Sequence, residues 1–403
     1  MKALFVCLVA ILAIIQVSEA QAPTRWRGPN GNGTYSETGL LKQWPASGPE
    51  LLWSYTKLGS GYSSPAFANN FIYLSGMEGS SGMVYCLTDN GTLKWKSAYG
   101  KEWDSSYPGS RATPVIAGDH IYILSGLGDL VCLQAATGNV VWKKNLVSDF
   151  GGIIIEWGLN ETVVIQDNKL YCTPGSSTHN LIALDRFTGN LLWSSKGMGE
   201  KSAYCTPLLV KTGNRNLLVT HMAGHVIGLD ADKGTLLWNY PHPNRWSVHP
   251  NTPLYSDNQL FCFSGYGQGG VMLRLSADGS SVTKLWSSST FDSRTGGAVL
   301  LKGKIYGSGD NTRDWQCIDW ITGKTDYSFK GIGNGVTIAA DDLLYWYSQR
   351  GELALVKPGA SSFDILGQTK ITEGTGEHWA HPVIDKGRLF VRHGNTLLAY
   401  KVK

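Results

Sequence analysis

The sequence predicts an all-β fold, an eight-bladed β-propeller of four-stranded antiparallel blades, closed by a strand from the N-terminal part of the chain. Three observations predict it. A unit of about 45 residues recurs along the chain, the length of one propeller blade. Each copy holds four short apolar runs divided by turn residues, which reads as one antiparallel sheet. The last copy lacks its fourth strand, and a matching strand without companions stands near the start of the chain. The 49 Gly, 18 Tyr and 15 Trp agree with many short strands and tight turns.

The copies follow in order. The first runs from Tyr62-Ser-Ser-Pro65 through Val84-Tyr-Cys-Leu87 and the turn Asn90-Gly91 to Trp95. The second starts at Arg111, turns at Gly118-Asp119 and Thr137-Gly138, and ends at Trp142. The third begins near Glu161 and holds Ile182-Ala-Leu-Asp185, Thr188-Gly189 and Trp193. The fourth runs from Thr206-Pro207 through Gly234 to Trp238, and the fifth from Thr252-Pro253 through Gly279 to Trp286. The sixth starts at Gly296-Gly297, turns at Thr322-Gly323 and has Tyr327 in the Trp place. The seventh, from Asn334-Gly335, is degenerate and turns at Pro358-Gly359. The eighth runs from His381-Pro382 to Leu397-Leu-Ala-Tyr400. Its missing strand is supplied by Leu51-Leu-Trp-Ser-Tyr55, which removes two sheet edges. The third and seventh copies are weak, so seven blades is the alternative count.

Three spans follow: a leader at 1–20, an N-terminal arm at 21–50 and the propeller at 51–403. Met1-Lys2, the apolar run to Val17 and Ser18-Glu19-Ala20 read as a secretory signal peptide cleaved after Ala20. Cys7 does not fit a lipidation site. The mature protein is expected to be secreted or periplasmic, soluble and monomeric, without a membrane span. A net charge of +4 with no basic run gives nucleic-acid binding little support. Six cysteines remain after the leader. Cys86, Cys132 and Cys317 occupy one repeat position and read as small buried residues. One disulfide among Cys172, Cys205 and Cys262 stays open.

The pattern Leu184-Asp-Arg-Phe-Thr-Gly-Asn-Leu-Leu-Trp193 resembles the pyrroloquinoline quinone (PQQ) repeat, and the resemblance covers Leu51 to Tyr400. It implies a propeller whose Trp docks between adjacent blades. That superfamily includes quinoprotein alcohol dehydrogenases, the lipoprotein of the outer-membrane barrel-assembly machine, and exported propellers without assigned chemistry. The dehydrogenases carry a calcium-bound quinone and a disulfide between adjacent cysteines. No Cys-Cys dipeptide occurs here, so no catalytic residue, metal ligand or PQQ-calcium site is carried over.

The Gly-rich stretch Trp26 to Gly33 lacks the strand and helix that frame a phosphate loop, and reads as an arm packed on the propeller. His221 with His225, His378 with His381, and Asp310-Asn311 with Asp314 read as solvated turn residues. The first strand of each blade lines the central channel, so the residues just before it crowd the channel mouth. These are Tyr62, Arg111, Glu156-Trp157, Tyr204, His249 with Asn251, Arg294, Asn334, and Trp379 with His381. Convergent polar and aromatic groups describe a ligand site, with arginines for an anion and tryptophans for a ring. The competing expectation is a plug, with Arg111 paired to Glu156. The function expected is a non-catalytic binding or scaffold module with a protein, peptide or glycan partner. The alternatives are a quinoprotein oxidoreductase and a channel-mouth enzyme acting on an acidic sugar, with His249 or His381 as base.

Overall fold

The computed structural model describes residues 22–295 and 297–403. The expected leader, with Cys7, and Gly296 of the sixth copy lie outside the described residues. Eight antiparallel sheets follow in chain order, each containing a four-stranded blade, so the count is eight and not seven. Blade 1 is Ala66–Ala68, Phe71–Glu78, Ser81–Thr88 and Leu93–Lys101. Blade 8 is Val383–Asp385, Arg388–His393 and Thr396–Lys401, completed by Leu51–Tyr55. The closing strand runs antiparallel to the last one, with Leu51 opposite Tyr400 and Tyr55 opposite Leu397. Among the described residues no helix is long and apolar enough to cross a membrane.

One irregularity recurs in every blade. The pairing of third and fourth strands slips by a bulge at the same place, at Cys86/Leu87 in blade 1, at Val140/Trp142 in blade 2 and at Leu51/Trp53 in blade 8. The other five blades repeat it. A bulge re-aims the side chain beside it and spoils an edge for pairing with another chain. Here the re-aimed residue is the repeat's Trp, and it reaches the next blade. Trp142 donates its indole N–H to Arg186 O at 2.9 Å, and Trp193 to Ala231 O at 3.1 Å. Trp238 and Trp286 do the same across the next two interfaces. Tyr327 takes the place in blade 6 and donates its hydroxyl to Gly359 O at 2.7 Å. The receiving turn keeps glycine for a physical reason. A Cβ at Gly323 would strike the Trp286 ring, and its φ of 70° already disfavours a side chain.

Blade 7 has no ring to offer, because Gly367 stands where the others carry Trp or, in blade 6, Tyr, opposite Leu355. The arm repairs the gap. Trp44 is buried against Gly367, and its backbone N–H bonds to Leu366 O at 3.0 Å. Its ring lies 6.2 Å from that of Tyr345, in one apolar cluster spanning blades 7 and 8. The arm therefore seals the last interface with a tryptophan taken from outside the repeat.

Upstream, the arm enters the central channel. Thr34–Tyr35 adds a parallel fifth strand to Gly335–Ala340, the first strand of blade 7. Thr24 exchanges two bonds with Ile116 of blade 2, both 2.8 Å. Arg27 is buried and bonds to Ala298 O of blade 6. The six cysteines of the described residues are all free and buried, so Cys172, Cys205 and Cys262 form no disulfide. Cys172 and Cys262 sit in strands and Cys205 in the loop before Leu208–Thr212, each as a small buried residue.

Trp44→Ala is expected to cost about 3–5 kcal/mol, the range for emptying a buried Trp site. Urea unfolding at constant m would show it; a loss under about 1 kcal/mol would mean the blade 7–8 interface closes without the indole.

Candidate functional site

Strands 1 and 2 of each blade meet in a short turn on one face, so the loops from strand 4 to strand 1 and from strand 2 to strand 3 gather on the other. That face holds a cavity of about 240 Å³ over the channel. Arg111, Trp157, Tyr204, Arg294, Trp379 and His381 all line it, so six of the eight residues singled out from the sequence meet there. Tyr62 lines it too.

Glu156 and His249 do not. Glu156 sits in the tight turn after Ile155, where its side chain is exposed. The expected Arg111–Glu156 pair is not formed. Arg111 instead donates from Nη1 to Gly109 O and from Nη2 to Tyr107 O, both at 2.8 Å. His249 is fully buried below the mouth. It stacks on His221 with ring centroids 5.1 Å apart, and His242 lies 5.5 Å from His221. His221 is therefore not a solvated turn residue: it ends the second strand of blade 4 and lies beneath the 243–250 loop. His381 and Asp314 are buried as well, and Asp310 pairs with Arg294 at 3.3 Å.

Neither histidine has the placement of a base for the cavity. An arginine can only donate, so the 2.8 Å contact of Arg27 Nη1 makes His381 Nδ1 an acceptor. His381 Nε2–H then donates to Thr295 O at 2.9 Å. Both ring nitrogens are used, and burial with the Arg27 charge holds the pKa well below the ordinary value. His381 anchors the arm.

The sequence reading missed three rings of the cavity: Trp26, Tyr107 and Tyr266. Trp26 comes from the arm, edge-on to His381 at 4.8 Å. Tyr107 and Tyr266 stand in the strand 4 to strand 1 loop after blade 1 and the strand 2 to strand 3 loop of blade 5, away from the repeat position that was aligned. Trp379 is held between Tyr62 and Tyr107, each 5.0 Å away. The charge is carried by Arg111 and Arg294, each guanidinium 5.8 Å from a tyrosine ring, Tyr62 and Tyr266 respectively. Among the described residues no carboxylate lines the cavity. The acid nearest in effect on Arg111 is Glu102. Its carboxylate is occupied by the Tyr99 hydroxyl and the backbone N–H groups of Trp103 and Gly126. Burial lowers the Arg111 pKa, so its charge sits in a poorly hydrated place.

The PQQ-calcium pair raised by the repeat does not fit this donor set. Calcium takes six to eight oxygen ligands with carboxylates among them, and the cavity offers Asn160, Thr162, Thr206 and Thr295 but no acid. Among the described residues no three His, Cys, Asp or Glu side chains converge to hold a metal ion.

Comparison with known proteins agrees with the fold. The family model described as outer membrane protein assembly factor BamB matches residues 80–329, more than half of the chain. The chain is 26% identical over 214 residues to the outer membrane protein assembly factor BamB of Moranella endobia, covering 52% of this chain and 51% of that protein. It is also 26% identical over 280 residues to the dehydrogenase subunit of a quinone alcohol dehydrogenase of Gluconobacter oxydans, covering 64% of this chain and 34% of that one. It thus spans about half and a third of these relatives' lengths. Among solved structures, BamB from Moraxella catarrhalis superposes with a TM-score of 0.63 over 88% of this chain and 97% of that chain, at 16% identity, a likeness of fold alone.

The buried histidines set a pH dependence. Unfolded histidine titrates near pH 6.5, while burial lowers His242 to about 4 and His249 to about 3. Between those values the unfolded chain binds more protons, so stability is full above about pH 6.5 and falls as pH drops toward 4. Glu161 has the opposite sign. Burial raises it to about 7, so its contribution is full below the unfolded value near 4.3 and is lost as pH rises through 7. Comparing His242→Gln with the native protein isolates the histidine. The variant should escape about 2 kcal/mol of the loss between pH 7 and 4.5. A stability difference independent of pH would mean that His242 is hydrated in the fold.

Proposed function

We propose, from the premise that the chain belongs to the family described as outer membrane protein assembly factor BamB, that it is an exported binding propeller of the cell envelope. Its ligand seat is the channel-mouth cavity, and its ligand is an acidic ring, most simply an acidic sugar unit of a glycan partner. One observation carries the reading: seven aromatic side chains and two arginines surround a cavity without a lining acid. Aromatic faces take the flat side of a ring, and Arg111, which makes no ion pair among the described residues, takes the anion. The expected leader and the relatives named as outer membrane assembly factors support placement in the envelope.

The reading is of binding and not of catalysis. His381 has both nitrogens engaged, and among the described residues no carboxylate lines the cavity to move a proton. General acid–base work needs a titratable group within hydrogen-bond reach of the reacting atom.

Thermal unfolding of residues 21 onward with galacturonate should show a raised midpoint, with none for galactose, and Arg111→Leu should remove the rise. A rise with PQQ and calcium together, followed by dye-linked alcohol oxidation, would replace this reading with a dehydrogenase.

A further inference from the structure

The cavity does not end at its rim. A second depression of about 470 Å³ adjoins it and shares Tyr266 and Arg294. Its remaining residues are Arg245, Asp310, Asn311 and Arg313. Three arginines therefore face one acid, and that acid is spent on Arg294 at 3.3 Å. Arg245 and Arg313 are exposed and make no ion pair among the described residues.

The walls of this groove are built and fixed. Asp292 is buried beneath it and accepts from the backbone N–H groups of Gly267 at 3.1 Å, Asp310 at 2.8 Å and Asn311 at 3.2 Å. One carboxylate thus ties the blade 5 loop to the blade 6 loop. Its oxygens are engaged by these donors, and it makes no ion pair with the groove arginines among the described residues.

Beside the groove the aromatic surface continues into solvent. Trp246 is 49% exposed, 6.5 Å from Trp157 on the cavity wall, with the Arg245 guanidinium 5.1 Å from its own ring. Tyr107, at 47% exposed, continues the surface on another side. Apolar residues left open at a polar rim mark a binding surface. An enclosed pocket would suit a single apolar side chain. Open ring faces with arginines at their edges suit a chain of flat, polar, anionic units.

Resting on the acidic-ring reading of the cavity, we propose that the cavity and the Arg245–Arg313 groove form one extended site for an acidic oligosaccharide. One terminal uronate-type unit sits in the cavity on Arg111, and following units cross Trp246 with their carboxylates on Arg245 and Arg313. The second section supplies length selectivity and salt-sensitive affinity, because its charges face solvent.

The test compares galacturonate with its linear trimer by calorimetry, on the native protein, Arg111→Leu, and the double variant Arg245→Ala with Arg313→Ala. Both groove arginines are exposed, so the double variant should keep the native unfolding midpoint. The trimer is expected to bind at least tenfold tighter than the monomer. The double variant should bring it down to monomer affinity while leaving the monomer unchanged. Equal affinity for monomer and trimer, with Arg111→Leu abolishing both, would overturn the groove and leave the cavity reading standing. Binding of neither, with or without Arg111, would overturn both. Tight binding of hexaglutamate in place of the trimer, lost in the double variant, would overturn the glycan assignment in favour of an acidic peptide.

Discussion

Ring closure is the constraint on which everything else depends. Eight sheets can share a central axis only if every interface is filled, including the one where the chain's ends meet. A recurring bulge turns one aromatic residue out of each repeat sheet that carries one, toward a glycine-bearing turn of the next blade. At Gly91, Gly138, Gly189, Gly234 and Gly323 a side chain would occupy the ring's volume. Blade 7 shows the rule by its exception. It lost the ring to Gly367, and the arm fills the space with Trp44. Blade 8 takes its whole outer strand from the same arm-side segment. Both weak points of the ring thus depend on residues that precede the repeats.

Closure also fixes the site. Because the arm must reach blades 7 and 8, its earlier part lies across the channel, with Thr24 on blade 2 and Arg27 between blades 6 and 8. Trp26 then faces the mouth and turns an open channel into a walled cavity. The mouth residues weighed as plug or site from the sequence line an open cavity, and the channel beneath it is filled by the arm. His381 belongs to both, bonded to Arg27 below and in contact with Trp26 beside the cavity.

The fold and much of the cavity lining were legible in the sequence because repeats carry positional information. Aligning the copies put Arg111, Trp157, Tyr204, Arg294 and Trp379 at equivalent places before a first strand, and a propeller must bring such places together. The same alignment placed Glu156 and His249 in the ring, and there it failed. Position in the repeat fixes where a backbone starts, not which way a side chain turns. A tight turn sends Glu156 to solvent, and packing draws His249 down onto His221.

The sequence by itself determined the blade unit, its closing strand and the docking ring of most blades, since these are periodic and local, while the sheets of the fold decided eight blades over seven. Tertiary structure alone decided the contributions with no period. Trp26 joins the cavity from the arm and Trp44 stands in for a ring in blade 7, each over 200 residues from the blade 6–8 residues it meets. Tyr107 and Tyr266 arrive from loops whose lengths differ between blades. The physical reason is common to all four. A repeat dictates its own strands, but the residues that fill the axis and seal the last interface are chosen by the shape of space left once the ring has closed, and no local pattern encodes that shape.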